Sequence, residues 1–240
     1  GALRCDIYTD VDGIFTTDPK VVSNAKKLDS ITMEEMLELA GQGAKVMQTR
    51  AVEFANKYNV PVRVLSSFNE GNGTLITLKD ESMENASVSG IAFQKDQIKF
   101  TLHGVGDIPG TAYRILGPIS DAEVEVDVIV QNVSVDGKTD FTFTVSSEDE
   151  DTVKKVLENV KNDISFKELI VDSNIAKVSL VGVGMRSQAG VASKAFKALS
   201  ENDVNIQIIC TSEIKITMVV EKDLVDKAVE VLHKEFELEK

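Results

Sequence analysis

Several kinds of residue are scarce in this sequence, and each scarcity excludes a class of protein. Its 240 residues include two cysteines, Cys5 and Cys210, which lie far apart and away from metal-ligand spacing. This argues against a disulfide framework or a metal centre and predicts two reduced thiols in a cytoplasmic chain. No apolar run is long enough to span a membrane, and the first residues do not follow a signal peptide's pattern. Lys and Arg number 26 against 39 Asp and Glu, so a nucleic-acid partner is not expected.

What is present is an internal repeat, in a chain long enough for two domains or three small ones. The stretch from Leu102 to Gly110 returns about eighty residues later as Leu180 to Gly190. With Gly104 set on Gly182, and Gly110 on Gly190 after a two-residue insertion, apolar positions fall on apolar positions. The matched pairs are Ala112 with Ala192, Leu116 with Phe196, Ile119 with Leu199, Val124 with Val204, Val126 with Ile206 and Ile129 with Ile209. The match indicates a duplication.

Each copy is predicted to be a β-α-β-β-α-β unit of the ferredoxin-like type. Apolar residues at helical spacing predict an amphipathic helix from Thr111 to Asp121. The predicted strands of the first copy are Gln97 to Val105, Val126 to Val130 and Lys138 to Val145, and those of the second are Ala176 to Val183, Asn205 to Cys210 and Ile214 to Val220. The second copy ends after one more helix and lacks a fourth strand. We expect Val88 to Phe93 to supply it, because an unpaired edge would expose backbone donors and acceptors.

The residues before the repeat predict part of a larger α/β domain. A strand from Arg4 to Thr9, with Cys5 and Ile7 inward and Tyr8 as a further candidate for an inward position, runs into an acidic, threonine-rich loop that ends at Lys20. On pattern alone, a surface turn and a nucleotide loop at a strand's carboxyl end are equally good readings.

The elements that follow are typical of one edge of an α/β sheet. Thr32 and Glu35 form a capping box for a helix. The predicted elements after it are a helix from Ala44 to Tyr58 and strands from Val60 to Leu65 and from Thr74 to Leu78. The polar stretch Ser66 to Ala86 indicates a domain boundary.

Five short motifs occur in a fixed order along the chain. They are Thr9 to Gly13 with Asp18-Pro19, Glu34-Glu35-Met36 followed by Gly43 to Val46, Val62 to Ser67, Gln131 to Ser134, and Thr211 to Lys215. With these motifs, essentially the whole chain resembles the C-terminal part of the aspartate kinases, which phosphorylate the side-chain carboxylate of L-aspartate with ATP. The resemblance implies the end of an amino-acid-kinase domain over 1–80, a first ACT domain over 95–172 and a second over 173–240 that strand 87–94 completes.

For catalysis the resemblance implies an enzyme that uses ATP with Mg²⁺, of which these residues hold only a remnant. The family's phosphate-binding Lys-Phe-Gly-Gly segment is absent from the printed sequence, so no catalytic residue is assigned and the chain alone is expected to be inactive. The positions that match family ATP contacts are Thr9, Asp10, Phe15, Lys20, Lys45 and Val46. The family usually has tyrosine at Phe15 and often arginine at Lys20, so this sequence lacks a hydroxyl and a forked cation there.

For regulation the resemblance implies that the ACT domains bind end-product amino acids, threonine or lysine or both. The turn before the Thr111 helix offers main-chain N–H groups to the effector's α-carboxylate, and Asp127 can pair with its α-ammonium. Gln131 can donate a hydrogen bond to the effector's side chain or accept one from it. The predicted effector residues are Asp107, Ile108, Gly110, Ala112, Glu125, Val126, Asp127, Gln131, Val191, Ala192, Asn205, Ile206 and Ser212. The residues alone favour a plainer interpretation, in which Gly110 and Gly190 only turn the chain and Asp127 is a solvated strand charge.

The second copy departs from the first where ligand contacts are expected. Gln207 stands in place of Asp127, and Thr211 in place of Gln131. We therefore expect it to lend residues to sites that the first copy completes, within the chain or across a dimer. Ser134 and Ser212 are further hydroxyls that could meet an effector side chain. No metal site is assigned.

One alternative function remains open from the sequence. The chain could be a separately made regulatory subunit that senses amino acids without catalysis, and such a subunit would begin nearer Met83. In either case a homodimer or hetero-oligomer through the ACT domains is expected, with the effector and the oligomeric state undecided.

Overall fold

A computed structural model of the protein describes residues 2–78, 87–132, 136–161, 163–186 and 188–240. Ser134 and the last part, 79–86, of the predicted boundary from Ser66 to Ala86 lie outside these residues. The chain forms two compact units. We call Lys95–Ala176 the continuous unit, and Gly1–Gln94 with Lys177–Lys240 the discontinuous unit. Among the described helices, none is long and apolar enough to cross a membrane.

The front of the discontinuous unit is a four-stranded sheet with strand order β1-β3-β4-β2. Its strands are β1 (Cys5–Thr9), β2 (Ser30–Thr32), β3 (Val62–Ser66) and β4 (Thr74–Thr77), and its helices are α1 (Met33–Gly41) and α2 (Thr49–Lys57). β1 and β3 are parallel, as are β2 and β4, whereas β3 and β4 are antiparallel. The core is apolar and fully buried at Ile31, Met36, Val52, Val64 and Ile76.

Two predictions about this sheet are wrong in detail. Cys5 is exposed and Tyr8 is 64% exposed, although Cys5 was expected to point inward and Tyr8 was a candidate for an inward position. β1 is the edge strand of the sheet and has β3 as its single neighbour in the strand order. Its side chains are therefore largely exposed to solvent. The second helix begins at Thr49 rather than at Ala44, because the N–H of Ala44 bonds to Leu39 O and closes α1.

The back of the discontinuous unit is built from the second copy of the repeat. Its own elements are β9 (Ile208–Thr211), β10 (Lys215–Glu221), α5 (Val191–Ser200) and α6 (Val225–Glu235). β10 pairs antiparallel with β9 and lies next to the end of β8 (Glu168–Val181). Leu180, Leu199, Met218, Val229 and Leu232 are fully buried in this part. Continuously buried stretches of β8 and β10 and one face of each helix therefore form its core.

The strand that was expected to complete the second copy lies beside the end of β8. Ser89 N donates to Val181 O at 2.8 Å, and β5 (Gly90–Gly106) follows as β8's neighbour in the sheet. The two separate strands that we predicted, Val88 to Phe93 and Gln97 to Val105, are one strand of 17 residues. Its first residues, up to Gln94, belong to the discontinuous unit.

The continuous unit contains the first copy of the repeat. Its own elements are α3 (Thr111–Asp121), β6 (Val126–Gln131), β7 (Lys138–Ser146) and α4 (Glu150–Val160), with the remainder of β5 and the first part of β8. β7 pairs antiparallel with both β5 and β6. Phe100, Phe141 and Phe143 lie in the centre of its core, against Ile115 and Ile119 of α3. The predicted mixture of α/β and ferredoxin-like α+β architecture is confirmed.

His233 connects α6 to the loop after β1 within the discontinuous unit. Its side chain is 1% exposed, its Nε2 lies 2.9 Å from Thr16 Oγ1, and its Nδ1 lies 3.8 Å from a Glu239 carboxylate oxygen. Thr16 Oγ1 also accepts a hydrogen bond from Lys26 N. Burial lowers the pKa of His233 below its ordinary value, and the Glu239 carboxylate opposes this shift. The ring is therefore a buried, neutral hydrogen-bonding group.

This lowered pKa predicts a loss of stability in mild acid. The unfolded chain binds a proton at His233 more readily than the folded chain, so the free energy of unfolding should fall as the pH drops below about 6.5. Urea unfolding of wild type and His233→Gln at about pH 7.5 and about pH 5.5 measures this loss, and the variant should lose less stability between the two values. An equal loss in both proteins would assign the acid sensitivity to other groups.

Candidate functional site

The loop after β1 brings its polar residues to the carboxyl ends of two parallel strands. Ser67 N donates to Thr9 O at 2.7 Å, and Thr9 Oγ1 donates to Asp10 Oδ1 at 3.1 Å. Asn69 Nδ2 donates to Asp12 Oδ1 at 2.9 Å. Hydrogen bonds from Asn69 and Ser66 lower the pKa of Asp12, so it is ionised at neutral pH. This edge is where open α/β sheets bind ligands.

The other predicted ATP contacts lie at several places around this sheet. Phe15 is half-buried and forms a β-bridge with Lys27, whereas Lys20 is exposed and its N–H donates to Asp18 Oδ1 at 2.9 Å. Lys45 is exposed between α1 and α2, and the neighbouring Val46 packs against the core of the sheet. The structure thus brings Thr9 and Asp10 together, and it gives no hydrogen bond that ties Lys45 to them among the described residues.

The described residues do not form a metal site. They contain no group of three or more histidine, cysteine, aspartate and glutamate side chains that could hold an ion.

In the continuous unit, the predicted effector turn precedes α3. Gly110 is the N-cap of this helix, with φ +91° and ψ −3°, and a Cβ there would meet nothing within 4 Å. The positive φ accounts for glycine, and the open space accounts for access to the helix end. The first bond of the helix runs from Arg114 N to Gly110 O, so the amides of Ala112 and Tyr113 have no acceptor within the helix.

Part of the turn's hydrogen-bonding capacity is used internally. Ile108 N donates to Gly106 O at 3.0 Å, and Thr111 N donates to Ile108 O at 3.2 Å. Thr111 Oγ1 also donates to Gly106 O, at 2.9 Å. These bonds fix the shape of the turn and leave the N–H groups of the first helical turn as its donors to a ligand.

One polar side chain of β6, that of Gln131, lies beside the turn. Gln131 Nε2 lies 3.4 Å from Asp107 Oδ1, which brings the end of β6 to the end of β5. Asp127 lies four residues before Gln131 on β6 and is exposed. Glu125, immediately before the strand, is also exposed, whereas Val126 is half-buried. Ile108 is 55% exposed and offers an apolar surface next to these polar groups. The turn thus combines helix amides with the carboxylate of Asp107 and the amide side chain of Gln131.

The second copy repeats the geometry of the turn within the discontinuous unit. Gly190 caps α5 with φ +93° and ψ −3°, nearly the same values as Gly110. Val191 is buried, Ala192 and Ile206 are half-buried, and Asn205 and Ser212 are exposed. Ser212 N donates to Lys215 O at 2.8 Å, which holds the hairpin between β9 and β10. The shared left-handed cap is structural support for the duplication.

Sequence reasoning missed the wider role of Glu35. It identified the capping box, but the carboxylate is fully buried and accepts hydrogen bonds from three chain segments. Thr32 Oγ1 donates at 2.7 Å, Ser89 Oγ at 2.6 Å and Val183 N at 2.9 Å. Glu35 therefore joins α1 to the segments before β5 and after β8.

Comparison with known proteins identifies both parts of the chain. The amino acid kinase family matches residues 1–66, and the ACT domain family matches residues 178–236. An aspartate kinase of Pseudomonas fluorescens is 59% identical over 237 residues, which are 98% of this chain and 57% of that protein. The chain thus spans a little over half of that relative's length.

Two solved structures are also similar to this chain. One is aspartokinase III of Escherichia coli in complex with lysine and aspartate, in the T-state. Its TM-score is 0.76 and its sequence identity is 30%, and the match covers 98% of this chain and 52% of the aspartokinase III chain. A crystal structure of aspartokinase alpha and beta subunits has a TM-score of 0.59 and 45% identity, and the match covers 62% of this chain and 99% of that one. Because it matches almost the whole of a 45%-identical aspartokinase chain, the chain belongs to the aspartate kinase family.

Proposed function

We propose that this chain is the regulatory part of an aspartate kinase, an enzyme that converts ATP and L-aspartate to 4-phospho-L-aspartate in the cytoplasm. In this proposal the continuous unit binds an end-product amino acid, threonine or lysine, as a feedback effector. The observation that carries the proposal is the Gly110 turn, with open space before α3 and with Asp107 and Gln131 beside it.

This turn suits a zwitterion because it offers groups that interact favourably with each of the ligand's two charges. The free amides at the start of α3 and the helix dipole favour the α-carboxylate. The exposed carboxylates of Asp107 and Asp127 favour the α-ammonium, and Gln131 can donate to or accept from the effector side chain. The proposal extends to Val191, Ala192, Asn205, Ile206 and Ser212 as contributors from the second copy, and to assembly of the enzyme as a dimer or hetero-oligomer.

The loop after β1 is the proposed remnant of the ATP site. Its position at the carboxyl ends of β1 and β3, with Thr9 and Asp10 hydrogen-bonded to each other, supports a role in nucleotide contact. Phosphoryl transfer depends on cations placed around the transferring group. Lys20 and Lys45 are exposed cations of this region and are the proposed contributions of this chain.

The proposal also predicts that the 240 residues alone make no aspartyl phosphate. They contain no Lys-Phe-Gly-Gly segment for the phosphates, so the main electrostatic stabilisation of the transferring group is absent. A coupled assay on the purified chain with ATP and aspartate measures this. Turnover that Asp10→Ala abolishes would contradict the prediction.

A separately made sensing subunit is the second candidate, since the crystal structure of the alpha and beta subunits matches only 62% of this chain. The match of residues 1–66 to the amino acid kinase family favours the enzyme instead. The intact mass of the protein from its native source distinguishes the two, because a regulatory subunit would begin near residue 83.

Effector binding is tested by thermal unfolding of the chain with and without each amino acid. A ligand that binds only the folded state stabilises it by about 2.7 kcal/mol at a hundredfold excess over Kd. We expect L-threonine or L-lysine to raise the unfolding midpoint, and L-alanine at the same concentration to leave it in place. No shift with either effector at millimolar concentration would overturn the sensing proposal.

A further inference from the structure

β5 contains a β-bulge just before the effector turn. Leu102 pairs with Phe141 on β7, but the next pair is Val105 with Thr139. His103 and Gly104 of β5 therefore lie opposite one residue of β7, Asp140. Gly104 has φ +70°, a left-handed conformation that favours glycine.

The side chain of Asp140 holds this bulge from the opposite strand. Its Oδ1 accepts a hydrogen bond from Gly104 N at 2.9 Å and lies 2.6 Å from His103 Nδ1. Lys167 N donates to His103 O at 2.8 Å from the other side, so the bulged residues are bonded on both sides. Asp140 thus satisfies the backbone donor that the bulge removes from the strand ladder.

The bulge sets the position of everything that follows it on β5. Side chains alternate along a strand, so without an extra residue Leu102 and Val105 would point to opposite faces. With the bulge both are buried, at 0% and 1% exposure. The new register also pairs Gly106 with Lys138, and Asp107 N donates to Gly137 O at 2.9 Å.

We propose that Asp140 is a positioning residue for effector binding, which acts by holding the His103–Gly104 bulge and thereby the Asp107–Gly110 turn. This inference rests on the proposed sensing function. Asp140 does not need to touch the ligand, because Gly106, the second residue beyond Gly104, accepts the bonds from Ile108 N and Thr111 Oγ1 that shape the turn. A residue that binds the bulge therefore controls the geometry of the ligand's donors.

The test is calorimetric titration of the 240-residue chain with L-threonine and with L-lysine. Asp140→Ala should bind the effector about tenfold more weakly, the loss expected when a hydrogen bond to a charged group is removed. Asp140→Asn keeps an oxygen for Gly104 N and should stay within about threefold of wild type. Asp172→Ala is the matched control, since Asp172 is a strand carboxylate of the same unit that is paired with Lys99 at 2.9 Å.

Hydrogen exchange provides a readout that does not need a ligand. In Asp140→Ala the amides of Gly104 and Asp107 should exchange faster, while those of β10 keep their wild-type rates. If wild type binds neither amino acid, the sensing function fails, and the exchange rates alone decide the role of Asp140. Unchanged exchange at Asp107 would overturn the inference. So would equal losses of affinity in Asp140→Ala and Asp172→Ala, because they would indicate general destabilisation.

Discussion

Glu35→Ala is expected to lower the free energy of unfolding of the discontinuous unit by roughly 3–5 kcal/mol, because several buried donors would lose their acceptor. The Glu35 carboxylate is 0% exposed and accepts from Thr32, Ser89 and Val183. Each buried donor left unpaired costs about 1–3 kcal/mol, and a cavity adds to the loss. Urea unfolding followed by circular dichroism measures the change.

The neighbouring Glu34 is a matched control for this prediction. Its side chain is 51% exposed and pairs with Arg186, whose side chain is 44% exposed. A surface ion pair of this kind contributes about 0–1 kcal/mol, so Glu34→Ala should change the stability little. Similar losses for the two variants would mean that the buried hydrogen bonds of Glu35 add nothing beyond surface charge.

Asp127→Ala or Gln131→Ala is expected to abolish the thermal shift that at least one effector produces. At a hundredfold excess of ligand over Kd, the shift in wild type corresponds to about 2.7 kcal/mol. The shift disappears when a substitution raises Kd well above the ligand concentration. Both side chains are exposed on β6, so their removal should leave the unfolding midpoint of the free chain nearly unchanged. Differential scanning calorimetry measures both quantities on one sample.

The second copy supplies the matched substitutions for this experiment. Gln207 and Thr211 occupy the positions equivalent to Asp127 and Gln131, and neither belongs to the proposed effector contacts. Gln207→Ala and Thr211→Ala should therefore keep the shift. An effector shift that survives Asp127→Ala and Gln131→Ala but disappears in these two would move the ligand to the second copy's turn.

Local pattern predicted those elements whose ends are determined by adjacent residues. The predicted bounds of α3 agree with the structure because Gly110, in the left-handed conformation, breaks the chain immediately before its apolar period begins. The helix after Gly43 was predicted too long, since the N–H of Ala44 bonds to Leu39 O and not along a new helix. Helical spacing of apolar residues does not reveal such a tertiary turn.

The long strands show a second limit of local pattern. Gln94 to Asp96 is polar and was predicted as a break between two strands, but β5 continues through it. Its first residues belong to one compact unit and its last to the other, so polar residues at the change of unit do not end the strand. Pairing with β8 supplies the backbone hydrogen bonds, and the segment contains neither glycine nor proline to break the strand.

The candidate site was predictable where one residue type is required by its own backbone. Gly110 and Gly190 could be identified from the repeat, and both have the left-handed φ that requires glycine. The support of the site was not predictable in this way. The sequence places Asp140 only within the predicted strand from Lys138 to Val145, because its bonds to His103 and Gly104 join residues far apart in the sequence.

The measurement that tests the account most directly is an NMR titration of the backbone amides with L-threonine and with L-lysine. We expect saturable chemical-shift changes with one of them, largest at the amides from Asp107 to Tyr113 and from Asp127 to Gln131. The amide shifts of β1 and β3 should not change, because the effector does not contact these strands. If neither amino acid shifts these amides at millimolar concentration, or if the largest shifts lie at the loop after β1, the Gly110 turn is not an effector site.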